Sequence, residues 1–165
     1  YIIYRAMFLK EFEIRWSDLD ANRHLANVTY SIYAGETRMA FLKSLGLTHQ
    51  RLLNLEIGPI VFNEHFFYFK EVLLGEKIRV STVLSGMSNE GTFFEFEHNF
   101  YSEKGLNIAR CEMIGGWMNL SSRKLTSIPK ELITQFKKTN EILSFKELTS
   151  KDTRKWNKMP KNLIL

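Results

Sequence analysis

The densest group of potentially reactive side chains lies in one short polar segment near the N-terminus. Six polar residues fall within it, namely Asp18, Asp20, Asn22, Arg23, His24 and Asn27. A carboxylate in such a segment can act as a nucleophile or can activate a water molecule. Asp and Asn also build turns and cap helices, which is their role in most loops. From the residues alone both interpretations stay open, and turn building with capping is the commoner of the two.

The sequence gives little support for a metal site or for a serine or cysteine nucleophile. His49, His65 and His98 have no tight ligand spacing with His24, as a zinc site would require. No Gly-x-Ser-x-Gly motif occurs, and the single cysteine, Cys111, is predicted to be an inert strand residue. We therefore expect no metal, no redox cofactor and no intrachain disulfide.

Hydrophobic periodicity places the polar segment between a strand and a helix. Apolar residues alternate from Phe8 to Trp16, which predicts a first strand. Apolar or small residues recur every three or four positions from Val28 to Leu45, which predicts an amphipathic helix that Gly46 can end. The loop from Ser17 to Asn27 then leads into a helix N-terminus, where free N–H groups stabilise anions, including the oxyanion formed when a carbonyl is attacked.

The middle of the chain predicts an antiparallel sheet. Beyond Gly58-Pro59 the pattern stays strand-like through Leu120, and four strands fit there. The pattern breaks at three turn-forming stretches, Gly75-Glu76, Ser88 to Gly91 and Ser102 to Gly105. Gly115-Gly116 inside the last strand predicts a bulge, or a close approach of another backbone or a ligand. A further helix begins at Pro129, so the sum is an α+β domain whose sheet buries one face on the long helix.

Composition and charge fit one globular domain. The chain has 165 residues, of which 44% are hydrophobic, and no apolar run approaches the about 20 residues of a membrane helix. The formal net charge of +5 lies in residues 137–165, which carry eight Lys or Arg and three Asp or Glu, so the rest is neutral. A DNA-binding domain usually clusters its basic residues on one face. We expect a soluble cytoplasmic protein with no nucleic-acid and no membrane partner.

The segment from Arg15 to Arg38, RWSDLDANRHLANVTYSIYAGETR, resembles the signature of the 4-hydroxybenzoyl-CoA thioesterase superfamily. In that signature a strand ends in D-x-D, and G-H-x-x-N, an aromatic residue and a helix with E-x-R follow. FKEVLLGEKIRV is similar to a hairpin of the family, and GGWMNLSSRKLTSIPKEL to its last strand and closing segment. The resemblance covers Glu11 to Leu132. It implies the hot-dog fold, a long central helix wrapped by a five-stranded antiparallel sheet.

The resemblance also implies an acyl-CoA thioesterase and assigns its site. Asp20, the second acid of D-x-D, is the implied catalytic carboxylate, which attacks the thioester carbonyl or orients the hydrolytic water. The backbone N–H near Asn27 is the implied oxyanion donor, and His24 supports the loop or the substrate. Glu36 and Arg38 hold the helix by polar contacts. The products are a free acid and CoA, and CoA is required only as part of the substrate.

The family further implies a homodimer or homotetramer with active sites at the subunit interface. We expect a thioesterase domain over residues 1–136 and a basic tail over residues 137–165, packed on the domain or extending from it. The residues that bind the CoA phosphates are not assigned, because the turn from Ser88 to Gly91 holds Glu90 and no Lys or Arg.

Two positions depart from the family pattern. Arg23 stands where the family commonly has glycine, and Asn27 stands where another branch has a catalytic histidine. An amide cannot exchange protons at neutral pH. Two alternatives therefore stay open: a non-catalytic acyl-binding protein, and an acyl-carrier-protein thioesterase whose basic tail docks an acidic carrier.

Overall fold

A long helix lies against one face of an antiparallel sheet in this protein. The structure is a computed structural model that describes residues 7–139 and 145–163. In chain order the elements are β1 (Phe8–Glu13), α1 (Asn27–Ser44), α2 (His49–Asn54), β2 (Ile57–Tyr68), β3 (Lys77–Met87), β4 (Phe93–Ser102), β5 (Asn107–Asn119), α3 (Lys130–Lys138) and β6 (Lys146–Glu147). Two 3-10 segments, Trp16–Asp18 and Ser150–Asn157, complete the described elements.

The sheet has the order β1-β3-β4-β5-β2, and every pair along it is antiparallel. The predicted α+β hot-dog fold is confirmed, and the four strands predicted between Gly58 and Leu120 correspond to β2 to β5. The sheet also has a sixth strand that the sequence did not predict, because β6 pairs in parallel with Gly86 and Met87 of β3. Such a pairing between distant segments leaves no periodic signal in two residues.

The first strand is shorter than predicted. β1 ends at Glu13, and Trp16–Asp18 forms a 3-10 turn instead of continuing the strand to Trp16. The turn closes because the Asp18 carboxylate accepts the backbone N–H of Arg15 at 2.8 Å. A local side-chain hydrogen bond of this kind competes with strand pairing, although the residues alternate in hydropathy.

The core lies between α1 and the inner face of the sheet. One face of α1 buries Tyr30, Tyr33, Ala34, Thr37 and Phe41, which recur at helical spacing. The Phe41 ring packs edge-on against rings from two strands, Phe8 at 5.5 Å and Phe96 at 5.8 Å between centroids. This packing fixes the position of α1, and therefore of its N-terminus, relative to the sheet.

The close approach predicted at Gly115-Gly116 is present. A side chain at Gly115 would collide with the Ile60 carbonyl of β2 and the Phe94 ring of β4. The bulge itself lies in the neighbouring strand, where the β2–β5 register shifts between Val61 and Asn63.

The C-terminal segment returns to the sheet. Leu148 is buried and belongs to a small apolar cluster with Phe93 and Ile114, and Lys146 lies 3.6 Å from Glu95. The division of the chain at residue 137 stays a prediction. Of the helices within residues 7–139 and 145–163, none has the length and apolar character that crossing a membrane requires.

Candidate active site

The polar segment before α1 folds as a tight hairpin. The Asp20 N–H donates to the His24 carbonyl at 2.9 Å, and the Arg23 N–H donates to the Asp20 carbonyl at 3.0 Å. Arg23 has φ of 65°, the left-handed conformation that the last residue of a three-residue hairpin loop adopts. An L side chain in that conformation costs roughly 1–2 kcal/mol, which glycine avoids. The arginine therefore keeps the loop geometry at an energetic cost, and its side chain is exposed.

Asp20 and His24 face each other across this hairpin. His24 Nδ1 lies 3.1 Å from Asp20 Oδ2, and Asp20 Oδ1 accepts the Asn22 N–H at 2.8 Å. The side chains of Asp20 and His24 are 31% and 33% exposed. A carboxylate oxygen has more than one lone pair, so each oxygen can accept a further hydrogen bond from a ligand or water. Asp20 thus builds the turn and remains accessible.

Asp18, the first acid of D-x-D, is buried and serves the structure. Its carboxylate accepts hydrogen bonds from the Arg15 backbone and guanidinium and, at 2.8 Å, from the Tyr33 hydroxyl. Burial alone would raise the pKa of Asp18, but these hydrogen bonds outweigh it and hold the pKa below its usual value. The Asp18 carbonyl also accepts the Ala26 N–H and the Thr29 hydroxyl, so Asp18 joins the loop to the first turn of α1.

The capping interpretation of the loop is wrong for α1. Its N-cap residue is Ala26, which has no side-chain acceptor, and no side chain within residues 7–139 and 145–163 caps this helix N-terminus. The first N–H groups of a helix have no carbonyl partner within it. Asn27 is the first residue of α1 and is exposed, so its N–H can reach an oxygen of a ligand.

Asp20, His24 and Asn27 line one cleft of about 410 Å³. The other lining residues come from the same loop, from α1, and from the end of β2 with the chain that follows, namely Leu25, Tyr30, Tyr68, Phe69, Lys70 and Glu71. The Leu25 N–H donates to the Val72 carbonyl at 2.8 Å, which joins the two walls. The cleft volume suits a small-molecule site.

The aromatic wall of the cleft was not predicted as part of the site. Tyr30 belongs to the apolar stripe of α1, and its ring meets Tyr68 edge-on at 5.1 Å between centroids. Burial, with smaller effects from Tyr68 and Glu76, raises the pKa of Tyr30 to about 12. Its hydroxyl makes no hydrogen bond within the part of the chain that the structure describes. The sequence signal that could have indicated this wall is the run of aromatic residues from Phe66 to Phe69, at the end of a strand.

Two depressions elsewhere are larger, at about 740 and 920 Å³. The first has no carboxylate in its lining. The second follows the open face of α1, and its only carboxylate, Glu36, is paired with Lys10 at 2.9 Å. The second also contains the N-terminus of α2, but the Thr48 side chain caps that helix by accepting the Arg51 N–H. In neither depression does a carboxylate stand beside an uncapped helix N-terminus, so the smaller cleft is the candidate active site.

A second polar cluster lies beneath α1, with partly buried Arg38 and Glu64 around the fully buried His98. Arg38 Nη1 lies 3.1 Å from His98 Nε2, and Arg38 Nη2 lies 3.5 Å from Glu64. Burial, reinforced by Arg38, lowers the pKa of His98 to about 3, so the ring is neutral; its Nδ1 donates to the Ser81 carbonyl. These contacts connect α1 to strands β2, β3 and β4. Among the described residues, no group of three or more His, Cys, Asp or Glu is arranged to hold a metal ion.

Comparison with protein-family models gives a match over residues 14–136 to the family described as "Thioesterase-like superfamily". The chain belongs to this superfamily. The match confirms the predicted family, and it spans the Asp18–Asp20 motif, α1 and all of β2 to β5. Comparison with curated proteins gives no match.

Solved structures of similar fold include proteins described as thioesterases. A Staphylococcus aureus protein in complex with CoA is 20% identical, covers 86% of this chain and 90% of its own, and has a TM-score of 0.76. A 1,4-dihydroxy-2-naphthoyl-CoA thioesterase from Synechocystis is 16% identical, with coverages of 79% and 96% and a TM-score of 0.69. A gentisyl-coenzyme A thioesterase is 21% identical, with coverages of 78% and 98% and a TM-score of 0.70. At these identities the likeness establishes the fold.

Proposed function

We propose that this thioesterase-like protein is an acyl-CoA thioesterase in which Asp20 is the catalytic carboxylate. The observation that carries the proposal is that one cleft contains both the accessible carboxylate of Asp20 and the uncapped N-terminus of α1 at Asn27. Hydrolysis of a thioester needs a base or nucleophile and a donor for the oxyanion, and the two stand on the same cleft.

The geometry supports a general-base mechanism in these residues. Asp20 takes a proton from a water molecule whose oxygen attacks the thioester carbonyl, and the Asn27 N–H stabilises the oxyanion of the tetrahedral intermediate. Collapse of the intermediate breaks the C–S bond, and CoA leaves as a thiolate. The thiolate takes up the proton that Asp20 accepted from the water molecule. His24 holds the carboxylate through Oδ2, which keeps it oriented. Direct attack by Asp20 would instead form an acyl anhydride that water then hydrolyses.

The comparisons support CoA as the thiol carrier. One similar structure holds CoA, and two others are described as thioesterases of aromatic acyl-CoA molecules. The aromatic side chains of Tyr30, Tyr68 and Phe69 give this cleft an apolar wall. We therefore place aromatic acyl groups beside short and long aliphatic ones among the substrates to be tested.

Thiol release from a panel of short, long and aromatic acyl-CoAs tests the function directly. At least one member is expected to release CoA at a rate proportional to protein concentration. Absence of release from every member would contradict the proposal and favour the acyl-binding alternative. Release from an acyl carrier protein alone, weakening as ionic strength rises, would favour the carrier-protein thioesterase.

We also propose a homodimer that forms along the edge of β2. This strand has 12 residues and stands at one end of the sheet, so one of its edges has no strand partner among the described residues. Val61, Phe67 and Tyr68 are exposed along it. An exposed, long, apolar edge strand is a template for pairing with another chain. Cytoplasmic location and the absence of nucleic-acid and membrane partners stay predictions.

Light scattering on the purified chain, of mass 19.4 kDa, is expected to give twice that mass. Val61→Lys places a charge on the edge and should shift the mass toward the monomer. Leu125→Lys is the matched control, because Leu125 is 48% and Val61 47% exposed, and Leu125 lies outside β2. A monomeric wild type, or equal effects of the two substitutions, would contradict the β2 interface.

A further inference from the structure

A second cavity adjoins the candidate active site. It has a volume of about 220 Å³ and shares Lys70 and Glu71 with the cleft that contains Asp20. Its other walls are the start of β3 and the turn between β4 and β5. The two cavities are therefore neighbours, each lined in part by Lys70 and Glu71.

Three lysines surround the second cavity. Lys70 follows β2, Lys77 is the first residue of β3, and Lys104 lies in the β4–β5 turn. All three are exposed, and none has a carboxylate oxygen within 4.0 Å among the described residues. Ammonium groups without a partner are available to bind phosphate oxygens.

Three carboxylates also line the second cavity, those of Glu71, Glu76 and Glu103. Glu76 is tied to the backbone, because its Oε2 accepts the Leu73 N–H at 2.6 Å. Glu71 and Glu103 are exposed. The cavity is thus not strongly basic, and we expect each lysine to contribute modestly. The floor is apolar, formed by the buried side chains of Val72, Ile78 and Ile108.

We propose that Lys70, Lys77 and Lys104 bind the phosphates at the nucleotide end of CoA. This subsite rests on the proposed thioesterase function. The pantetheine arm separates the sulfur of CoA from its phosphates, so a hydrolase that recognises the whole molecule must bind phosphates away from its catalytic carboxylate. The second cavity satisfies this requirement, since it shares Lys70 and Glu71 with the cleft and carries the unpaired cations.

The test compares two thioesters of the same acyl group, the CoA ester and the N-acetylcysteamine ester, which has no phosphate. Lys70→Gln removes the charge and is expected to lower kcat/KM for the CoA ester about fivefold, mainly through KM, as one exposed ion pair of about 1 kcal/mol allows. The triple variant with Lys77→Gln and Lys104→Gln should lose about a hundredfold, since three separate losses of about fivefold multiply. Hydrolysis of the short ester should stay within about twofold in the double variant Lys77→Gln with Lys104→Gln, because neither of these lysines lines the cleft that contains Asp20. Lys124→Gln, in neither cavity, is the control.

Equal losses on both esters, or no loss on either, would overturn the subsite. Calorimetric titration with adenosine 3′,5′-bisphosphate provides a readout independent of activity: the wild type should bind it, and the triple variant should bind it at least about tenfold more weakly. Absence of binding to the wild type, or equal binding to both, would also overturn the subsite. If no thioester is hydrolysed at all, the thioesterase function fails, and the titration alone decides the phosphate site.

Discussion

Asp20→Asn is expected to lower kcat for acyl-CoA hydrolysis by about a hundredfold or more, the scale of a lost general base. The substitution keeps size and shape, and the amide oxygen can still accept the Asn22 N–H that Oδ1 accepts now. It removes the charge that draws a proton from water, and an amide does not replace that function at neutral pH. The measurement is the rate of thiol release at saturating substrate, using the best acyl-CoA of the panel.

Two controls separate catalysis from folding in this experiment. The midpoint of thermal unfolding should change little, because Asp20 is about a third exposed and its turn contacts survive. Glu90→Gln removes a carboxylate from the β3–β4 turn, outside the cleft, and should leave kcat within about twofold of the wild type. If Asp20→Asn retained full kcat, Asp20 would be only a turn residue.

The sequence predicted the order of elements because each element has its own periodic pattern. α1 was predicted from Val28 to Leu45 and observed over Asn27–Ser44, since its apolar stripe is set by residues on one helix. The left-handed conformation of Arg23 has no such periodic signal, and it follows from the hairpin bonds between Asp20 and His24. The partners of the buried His98 also have none, because Arg38 of α1 and Ser81 of β3 come from other parts of the chain.

The site was predicted in part. The D-x-D motif and the residues after it predicted Asp20, His24 and Asn27 as site residues, and all three line one cleft. Their catalytic roles stay predictions. The wall formed by Tyr68 and Phe69 was not predicted. It lies beside the loop that contains Asp20 only because β2 pairs within the sheet and because the Leu25 N–H donates to the Val72 carbonyl in the chain that follows β2. Strand periodicity identifies faces of a sheet and does not show which strand end meets which loop.

The sequence also could not separate the two acids of the D-x-D motif. Asp18 and Asp20 are the same residue type two positions apart, yet one is buried and the other is accessible. The difference arises from Tyr33, a helix residue whose hydroxyl donates to the Asp18 carboxylate. Among the described residues, the carboxylate of Asp20 has only local partners, Asn22 and His24, and stays accessible. Tertiary contact with α1 therefore assigns a structural role to the first acid and leaves the second available for chemistry.

Asp18→Asn is expected to lower the free energy of unfolding by about 2 kcal/mol at pH 7, because an amide accepts fewer of the charge-assisted hydrogen bonds from Arg15 and Tyr33. Most of this loss should come from the buried Tyr33 contact, since the Arg15 side chain is 69% exposed and solvent screens its charge. The measurement is urea denaturation of wild type and variant at pH 7, 5 and 3.

The difference between the two proteins should depend on pH in one direction. The folded-state pKa of Asp18 is held below its usual value, so the stabilisation is fully present above the unfolded pKa of about 3.9 and is lost as pH falls through the folded pKa. The gap should therefore be constant between pH 7 and 5 and smaller at pH 3. Asp20→Asn is the matched control, with little change in stability at pH 7. A gap for Asp18→Asn that stays constant down to pH 3 would show that lost packing, and not the ionised carboxylate, accounts for the effect, and Asp18 would then not anchor the loop by charge.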